Sequence, residues 1–389
     1  MFVHETYDAL VVGARCAGAA TAMLLARKGW KVLVVDRGGY ATDTVSTHAL
    51  MRGGVLQLHR WGLLPRLREA GTPPIREVGF HYGDETITVA IASANGVDAL
   101  YAPRRSLLDR VLVDAARKAG ATVWHGHTLV GLTTRSDGRI CGGIVRDANG
   151  KAVQIEADLV VGADGVYSSV AGLAGAEIVR GARHTTAVIY GYFAGVELTG
   201  YHWWYRPGLA VGAIPTNRGR HCIFVAMSPE ALRNGLRRAD REAMFNQAVV
   251  AAAPQLAALI TRAEADEPLS LFAGRKGFFR QACGPGWALV GDAGYFKDPI
   301  TAHGITDALR DAELLANAAA AGNLPGYAAT RDALSVSLFE TTDAIAALDW
   351  NLDQLKALHQ TLNQAMKREV EHLLMLQDVQ TNHIEENAA

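Results

Sequence analysis

The chain has little cysteine and spaces it widely: Cys16, Cys141, Cys222 and Cys283 form no C-x-x-C pair. That argues against a disulfide framework and a cysteine-held zinc site, and no metal is expected; a reducing cytoplasm fits. Charge of one sign is lacking too. Across 389 residues, 38 Lys and Arg stand against 39 Asp and Glu, a formal net charge of −1. No basic excess points to nucleic acid, and there is no polyanionic tail. Apolar runs are broken by Gly, Arg or Asp within about ten residues, short of the ~20 that span a bilayer, so stable membrane insertion is not expected. Nor is a secretory leader, because the first residues lack a basic region followed by an apolar stretch. Internal repeats and low-complexity segments are missing. What remains is a globular composition, 49% hydrophobic and 20% charged. Its length suits two to three domains at about 150 residues each.

What is present reads first as a strand–turn–helix–strand unit. Tyr7–Val12 is a short buried strand, Cys16–Arg27 an Ala/Leu helix and Lys31–Val35 a valine-rich second strand. A helical stretch is expected over Thr47–Trp61, a hairpin between Glu77 and Ile91, and a helix over Ser106–Lys118. Strands follow near Thr122–Trp124, Thr128–Thr134, Ile140–Arg146 and Leu159–Val161, then a strand-rich aromatic block from Thr185 to Met227. Helices return at Pro229–Arg238 and Arg241–Ile260. Trp287–Val290 is one more buried strand, before a helix over Gly304–Ala320. From Asp343 to Gln377 an apolar stripe (Ile345, Leu348, Leu352, Leu355, Leu358, Leu362, Met366) has helical spacing, and the last dozen residues read as frayed.

Three motifs carry chemistry. Gly13-Ala14-Arg15-Cys16-Ala17-Gly18 lies between strand and helix, where a dinucleotide fold wants glycine for the tight turn and for close helix–strand packing. A pyrophosphate would then sit over the helix N-terminus. Asp36 ends the second strand about twenty residues on, where an acid accepts from ribose hydroxyls. The middle glycine is replaced by Arg15. The second motif places Asp164-Gly165 at a strand end with Ser168 shortly after; taken alone it is equally an Asp-Gly turn with a serine helix cap. The third is Gly291-Asp292-Ala293-Gly294, running through Asp298-Pro299-Ile300-Thr301-Ala302-His303-Gly304-Ile305 into a long helix. There a carboxylate can accept a ribityl hydroxyl, and the helix aims its positive end at the flavin edge that gains charge on reduction.

In this order the motifs resemble the FAD-dependent family of p-hydroxybenzoate hydroxylase, geranylgeranyl reductase and the flavin-dependent halogenases, over roughly residues 7–320. The resemblance implies an α/β fold of glutathione-reductase type. A discontinuous Rossmann-like FAD-binding domain (1–75, 100–180 and 280–325) joins an antiparallel-sheet substrate domain (76–99 and 181–279) and a C-terminal helical segment (326–389). It implies non-covalent FAD, with Gly13, Ala14, Ala17 and Gly18 at the pyrophosphate and Asp36 and Arg37 at the ribose. Arg52 stands at the flavin, Arg105 near the pyrophosphate (with Arg104 as its rival), and Val130 at adenine. Asp164 and Gly165 lie near the flavin and the nicotinamide path. Gly291, Asp292, Pro299, Ala302, His303, Gly304 and Ile305 close on the ribityl chain and ring. Three positions depart from the hydroxylase pattern: Ala171 where an arginine ends the second motif, Tyr295 after Gly294, and Thr306 where asparagine is usual. The third motif's spelling is nearer the reductase and halogenase branches.

The function expected is a monooxygenase that uses NAD(P)H and O2, through a flavin C4a-hydroperoxide, on an aromatic or apolar small molecule. A C=C reductase, a halogenase and a flavin-binding sensor module are the alternatives. The halogenase Trp-x-Trp-x-Ile-Pro signature is not matched by Trp203-Trp204 and Ile214-Pro215. His48, Arg52 and His303 are the catalytic candidates, a structural or solvent-exposed role being the commoner one for a histidine. Tyr190, Trp203, Trp204 and Ile214 either line a substrate cavity or pack across strands. The C-terminal stripe is expected to pack on protein, in a monomer or homodimer. Without a guanidinium at Ala171, NAD(P)H is expected to bind weakly.

Overall fold

The computed structural model describes residues 4–388 except Val45, Ala239, Arg262 and Asp266, with side chains through Leu376 apart from that of Glu264. Strand β1 (His4–Val12), helix α1 (Cys16–Arg27) and β2 (Val32–Asp36) open the chain. Helices α2 (Arg52–Arg60) and α3 (Leu64–Glu69) lead to the hairpin β3 (Glu77–Tyr82) and β4 (Glu85–Ala90). Then come α4 (Arg105–Lys118), β5 (Thr122–His125), β6 (His127–Thr134), β7 (Ile140–Asp147), β8 (Ala152–Gly162), α5 (Ser169–Leu173) and β9 (Ile178–Gly181). The strand-rich block is β10 (Ala187–Ala194), β11 (Tyr201–Arg206), β12 (Leu209–Thr216) and β13 (Arg220–Met227). Helices α6 (Pro229–Leu236), α7 (Arg241–Ala252) and α8 (Pro254–Ile260) follow it. Short strands β14 (Glu264–Ala265), β15 (Ser270–Phe272), β16 (Phe278–Arg280), β17 (Cys283–Gly284), β18 (Trp287–Leu289) and β19 (Tyr295–Phe296) come next. The chain then runs through α9 (Gly304–Ala320), α10 (Leu324–Ala346) and α11 (Leu352–Ala388).

The first sheet runs β17-β18-β8-β1-β2-β5, parallel from β18 to β5, with β7 and β6 added antiparallel beside β8. Its central strands are buried on both faces, which is why they read as continuous apolar runs such as Leu10-Val11-Val12 and Leu33-Val34-Val35. The second sheet runs β14-β10-β13-β12-β11-β3-β4 with β15 beside β10, antiparallel except where β3 meets β11. A small third sheet joins β19, β16 and β9. Period-two alternation gives the second sheet two apolar faces. Tyr190, Tyr192, Trp203 and Ile214 lie in the same buried cluster as α1, α2 and α9, whereas Trp204, Ile189 and Ile223 pack on α6–α8. Among the described residues no helix is long and apolar enough to cross a membrane.

Four segments differ from the sequence expectation, each for a local reason. The helix expected from Thr47 begins only at Arg52, because the preceding loop is pinned open: Leu50 bridges Tyr101, and His48 takes a positive φ of 66°. The single helix expected over Arg241–Ile260 breaks at Ala253, since Pro254 lacks the N–H that would continue it. Strand β8 starts seven residues before Leu159, at Ala152, because β1 and β7 both pair with it. The C-terminal stripe is split: Ile345 lies in the last turn of α10, Leu348 turns at φ 59°, and α11 begins at Leu352. Its inward packing is nonetheless direct, with Leu355, Leu362 and Leu373 buried in the main cluster and Leu358 and Met366 against it. The last dozen residues, expected to fray, continue α11 as far as Ala388.

Candidate flavin site

The turn after β1 is shaped by backbone contact. Gly13 has φ 106°, and a Cβ on it would lie 2.4 Å from the Ala163 carbonyl oxygen; a Cβ on Gly18 would lie 1.8 Å from that of Gly13. Only glycine lets α1 and β8 approach so closely. Arg15 is the N-cap at φ −87° and supplies no side-chain cap, so the first N–H groups of α1 stay available to an anion. Its ordinary φ is why an arginine fits where the motif has its middle glycine. The Arg15 guanidinium pairs with Asp109 at 3.4 Å, and that of Arg105 binds the same carboxylate at 3.1 and 3.2 Å. Two cations against one carboxylate leave positive charge beside the helix start, the charge a pyrophosphate requires. Asp36 accepts the N–H groups of Ala14 and Gly38, both at 2.6 Å, tying the turn to the end of β2. Arg37 is exposed, Val130 is exposed at a bulge in β6, and Ala17 packs its methyl beneath Gly291.

On the other side of α1, β18 delivers Gly291 (φ 55°) and Asp292. Protein surrounds Asp292, and burial raises its carboxyl to about 6 against the pull of Lys297 and Arg105. Solvent nevertheless reaches the side chain, which makes no hydrogen bond to a described residue. A crowded yet open carboxylate is the wall of a deep cleft. With the glycine turn and the uncapped α1 it fits the phosphates and ribityl chain of FAD. Asp292→Ala is expected to weaken FAD binding by about 1.5–3 kcal/mol, roughly 10–150-fold, while leaving the fold intact. Flavin retention on dialysis measures this; wild-type affinity in the variant would remove Asp292 from the site.

The loop between β19 and α9 is held from below. Asp298 accepts the N–H and hydroxyl of Thr186 (2.6 and 2.7 Å), the Thr185 hydroxyl (3.0 Å) and the Ile300 N–H (3.0 Å), stapling Pro299 and its neighbours to β10. Ala302 turns at φ 51°, and Gly304 and Ile305 begin α9. His303 points away from solvent: its Nε2 meets Glu369 of α11 at 2.7 Å, and its Nδ1 is buried without a partner. Around it Arg310, fully buried, pairs with Glu369 (2.9 Å), Asp307 (3.1 Å) and Asp311 (2.8 Å), and Lys297 pairs with Asp307. Burial would raise Glu369, but the His303 ring and the Arg310 guanidinium outweigh it and hold it down to about 2. His303, Asp307 and Glu369 lie close enough to share a cation; Lys297 and Arg310 already supply that charge.

The remaining candidates are placed as follows. Arg52 donates to the carbonyls of Val97 and Ala92, so its guanidinium braces a loop. Asp164 accepts from the Ser168 hydroxyl (2.5 Å) and the Ser169 and Val170 N–H groups, and Ser168 caps α5, so this motif's polar groups bind one another. The charges of Arg280 and Asp164 interact, and Arg275 sits 4.3 Å over the Tyr167 ring. Trp204 faces α6–α8, away from the flavin side, whereas Tyr190, Trp203 and Ile214 face it. Lys297, Arg310, Glu369 and Tyr192 were not among the site residues expected from the sequence. Lys297 lies inside the third motif and was its visible signal; Glu369 is 66 residues from His303 and had none.

His48 is buried and bonds the Tyr192 hydroxyl. Burial, aided by Arg104 and Arg105, drives it down to about 3 from 6.5. It stays neutral at physiological pH and can exchange a hydrogen bond but supplies no charge. The unfolded ring takes up a proton that the folded ring refuses, so His48's contribution to stability is complete above pH 6.5 and is lost as pH falls toward 3. Replacing it with asparagine, which tolerates positive φ, removes that loss. The stability gap between wild type and His48→Asn is expected to shift in the variant's favour by about 1.4 kcal/mol per pH unit from pH 6 to 4. Urea midpoints at three pH values test it, and a constant gap would contradict it.

Comparison with known proteins agrees with this geometry. A family model described as an FAD binding domain matches residues 6–331. Protein FixC of Salmonella typhimurium is 30% identical over 245 residues, 60% of this chain and 52% of that protein; the matched stretch thus spans about half its length. Digeranylgeranylglycerophospholipid reductase of Methanothrix thermoacetophila is 28% identical over 339 residues, 81% of this chain and 79% of that protein. The structure of PqsL, a probable FAD-dependent monooxygenase from Pseudomonas aeruginosa, superposes with a TM-score of 0.74 at 19% identity, covering 92% of this chain and all of that one. At that identity the likeness shows the fold.

Proposed function

The chain belongs to the FAD-binding-domain family of oxidoreductases, and from that premise we propose that it is a monooxygenase using NAD(P)H and O2 on an aromatic or otherwise apolar small molecule. Bound FAD supplies the two-electron redox chemistry and the activation of O2. The residues of this chain do the rest. Gly13, Ala14 and Gly18 would bring the α1 start against the pyrophosphate, and Asp292 would accept from the ribityl chain. The N–H groups at the α9 start would stabilise the flavin edge that becomes negative. Asp36 orders the turn that meets the adenosine ribose.

The observation that carries the reading is the inner face of the second sheet. Tyr190, Tyr192, Trp203 and Ile214 are buried on the side of the FAD-binding part, and α11 packs along the same cluster. A water-poor, aromatic surround suits oxygen transfer, which water would otherwise waste. A second reading, reduction of a C=C bond, is favoured by the identity to the reductase over most of both chains. Product mass separates them: a gain of one oxygen supports the first reading, a gain of two hydrogens the second. Anaerobic mixing adds the donor. Bleaching of the flavin by NADH or NADPH, faster with a true substrate, is expected; no bleaching at millimolar nucleotide would contradict direct use of either.

A further inference from the structure

Beside the His48–Tyr192 pair lies a cleft of about 590 Å³ outside the three motifs. Arg104, Ser106 and Arg110 at the start of α4 line one side, and Arg218 and Arg220 at the β12–β13 turn line the other. Consecutive arginines diverge beside it: Arg105 turns to Asp109, and Arg104 turns to Asp43 (3.0 Å) and Glu267 (3.4 Å). The Arg104 guanidinium also lies 3.6 Å over the Tyr192 ring, whose hydroxyl bonds His48. The cleft therefore abuts the aromatic face assigned to substrate.

Its walls are fixed. Asn217 is buried, donates to the Ala70 carbonyl (3.1 Å) and the Thr72 hydroxyl (2.9 Å), and accepts the Arg104 N–H (2.9 Å). That bonding locks the turn to the end of α3 and the start of α4. Arg218 is held at φ 64°, a conformation that glycine adopts freely and arginine at a cost, so strain is kept where a guanidinium meets the cleft. Arg104 pairs with Asp43 and Glu267, and neither Arg110 nor Arg218 has an ion-pair partner among the described residues. The α4 start has no side-chain cap.

We propose that this cleft binds an oxyanion, a phosphate or carboxylate group, on a ligand whose other end extends toward Tyr192 and His48. Planar guanidiniums are suited to both groups. The proposal rests on the function given above only for the two sources it implies, the phosphates of a pyridine nucleotide and a carboxylate on the substrate.

The test uses FAD-loaded protein without turnover, with adenosine 2′,5′-bisphosphate and benzoate as probes in calorimetric titrations at low salt. Wild type is compared with an Arg110→Gln, Arg218→Gly double variant and with Arg233→Ala, a control on α6. Glycine suits the Arg218 backbone, so the double variant is expected to keep its FAD and its melting temperature. At least one probe should bind wild type and the control equally and the double variant tenfold or more weakly. Loss confined to the bisphosphate makes the nucleotide the source, loss confined to benzoate makes it the substrate, and loss of both marks a shared subsite. The proposal is overturned if neither probe binds, or if the double variant binds like wild type. Failure of the oxygenase reading shows elsewhere, as a product lacking added oxygen while anion binding persists.

Discussion

Glu369→Ala is expected to lower the free energy of unfolding by about 3–5 kcal/mol, the usual cost of removing one partner from a buried ion pair. Glu369 is fully buried and serves two groups at once, Arg310 at 2.9 Å and His303 at 2.7 Å. Without it, a guanidinium with no exposed surface keeps only Asp307 and Asp311, Lys297 stands nearby, and His303 loses its one hydrogen bond. Arg310 then has two carboxylates where it had three, in a site that water does not reach, and the hydrogen bonds that Arg310 and His303 made to Glu369 are left unmade. Glu369→Gln keeps the hydrogen-bonding geometry without the charge and should fall between the two. Urea denaturation of the FAD-free protein gives the comparison. A loss below about 1 kcal/mol would mean that the network relaxes or hydrates freely.

The second large effect belongs to Gly18. A methyl there would lie 1.8 Å from the Gly13 carbonyl oxygen and 3.0 Å from the Ala163 methyl. Neither neighbour can yield: Gly13 is itself pressed against the Ala163 carbonyl, and β1 and β8 are paired along their length. Gly18→Ala must push α1 off the sheet, displacing the N–H groups that would meet the pyrophosphate. The expected outcome is protein without flavin, with the poor stability of an overpacked core, about 1–3 kcal/mol or more. Gly304→Ala is the instructive contrast. A methyl at Gly304 meets no protein atom within 4 Å, so that variant should fold normally, and any loss of flavin absorbance in it reports contact with the ligand alone. Wild-type flavin content in Gly18→Ala would show that the turn is not the pyrophosphate site.

The parts of this arrangement that local pattern encodes were legible. Cys16–Arg27 and Gly304–Ala320 are helices with the bounds their sequences suggest, because glycine, a strand end and a run of small apolar residues set both limits. Helix α10 was expected only within the helical segment 326–389, without bounds of its own, because its buried face mixes Arg331, Ser335, Thr341 and Thr342 with Leu338 and Phe339 and so shows no clean apolar stripe. The neighbours Trp203 and Trp204 illustrate a limit of another kind. Successive residues on a strand face opposite sides, so both could not line one cavity, yet which of them faced the flavin depended on sheet packing. The network around His303 was out of reach because its acid comes from the far end of the chain. The Asp164 turn shows the converse: its residues were easy to see, and its hydrogen bonds are consumed locally.

The reach of Glu369 back to the flavin loop also sets an order of assembly. A chain leaves the ribosome N-terminal part first. Here every strand of the first sheet and all three motifs are synthesised before α11 exists. Until that helix arrives, Arg310 has only Asp307 and Asp311 and the His303 Nε2 has no acid to meet, so the newborn chain can pair its sheet before the loop ahead of α9 is settled. Final capture of the cofactor becomes a late event, and a nascent chain stalled before residue 369 would hold a formed cradle with an unsettled floor.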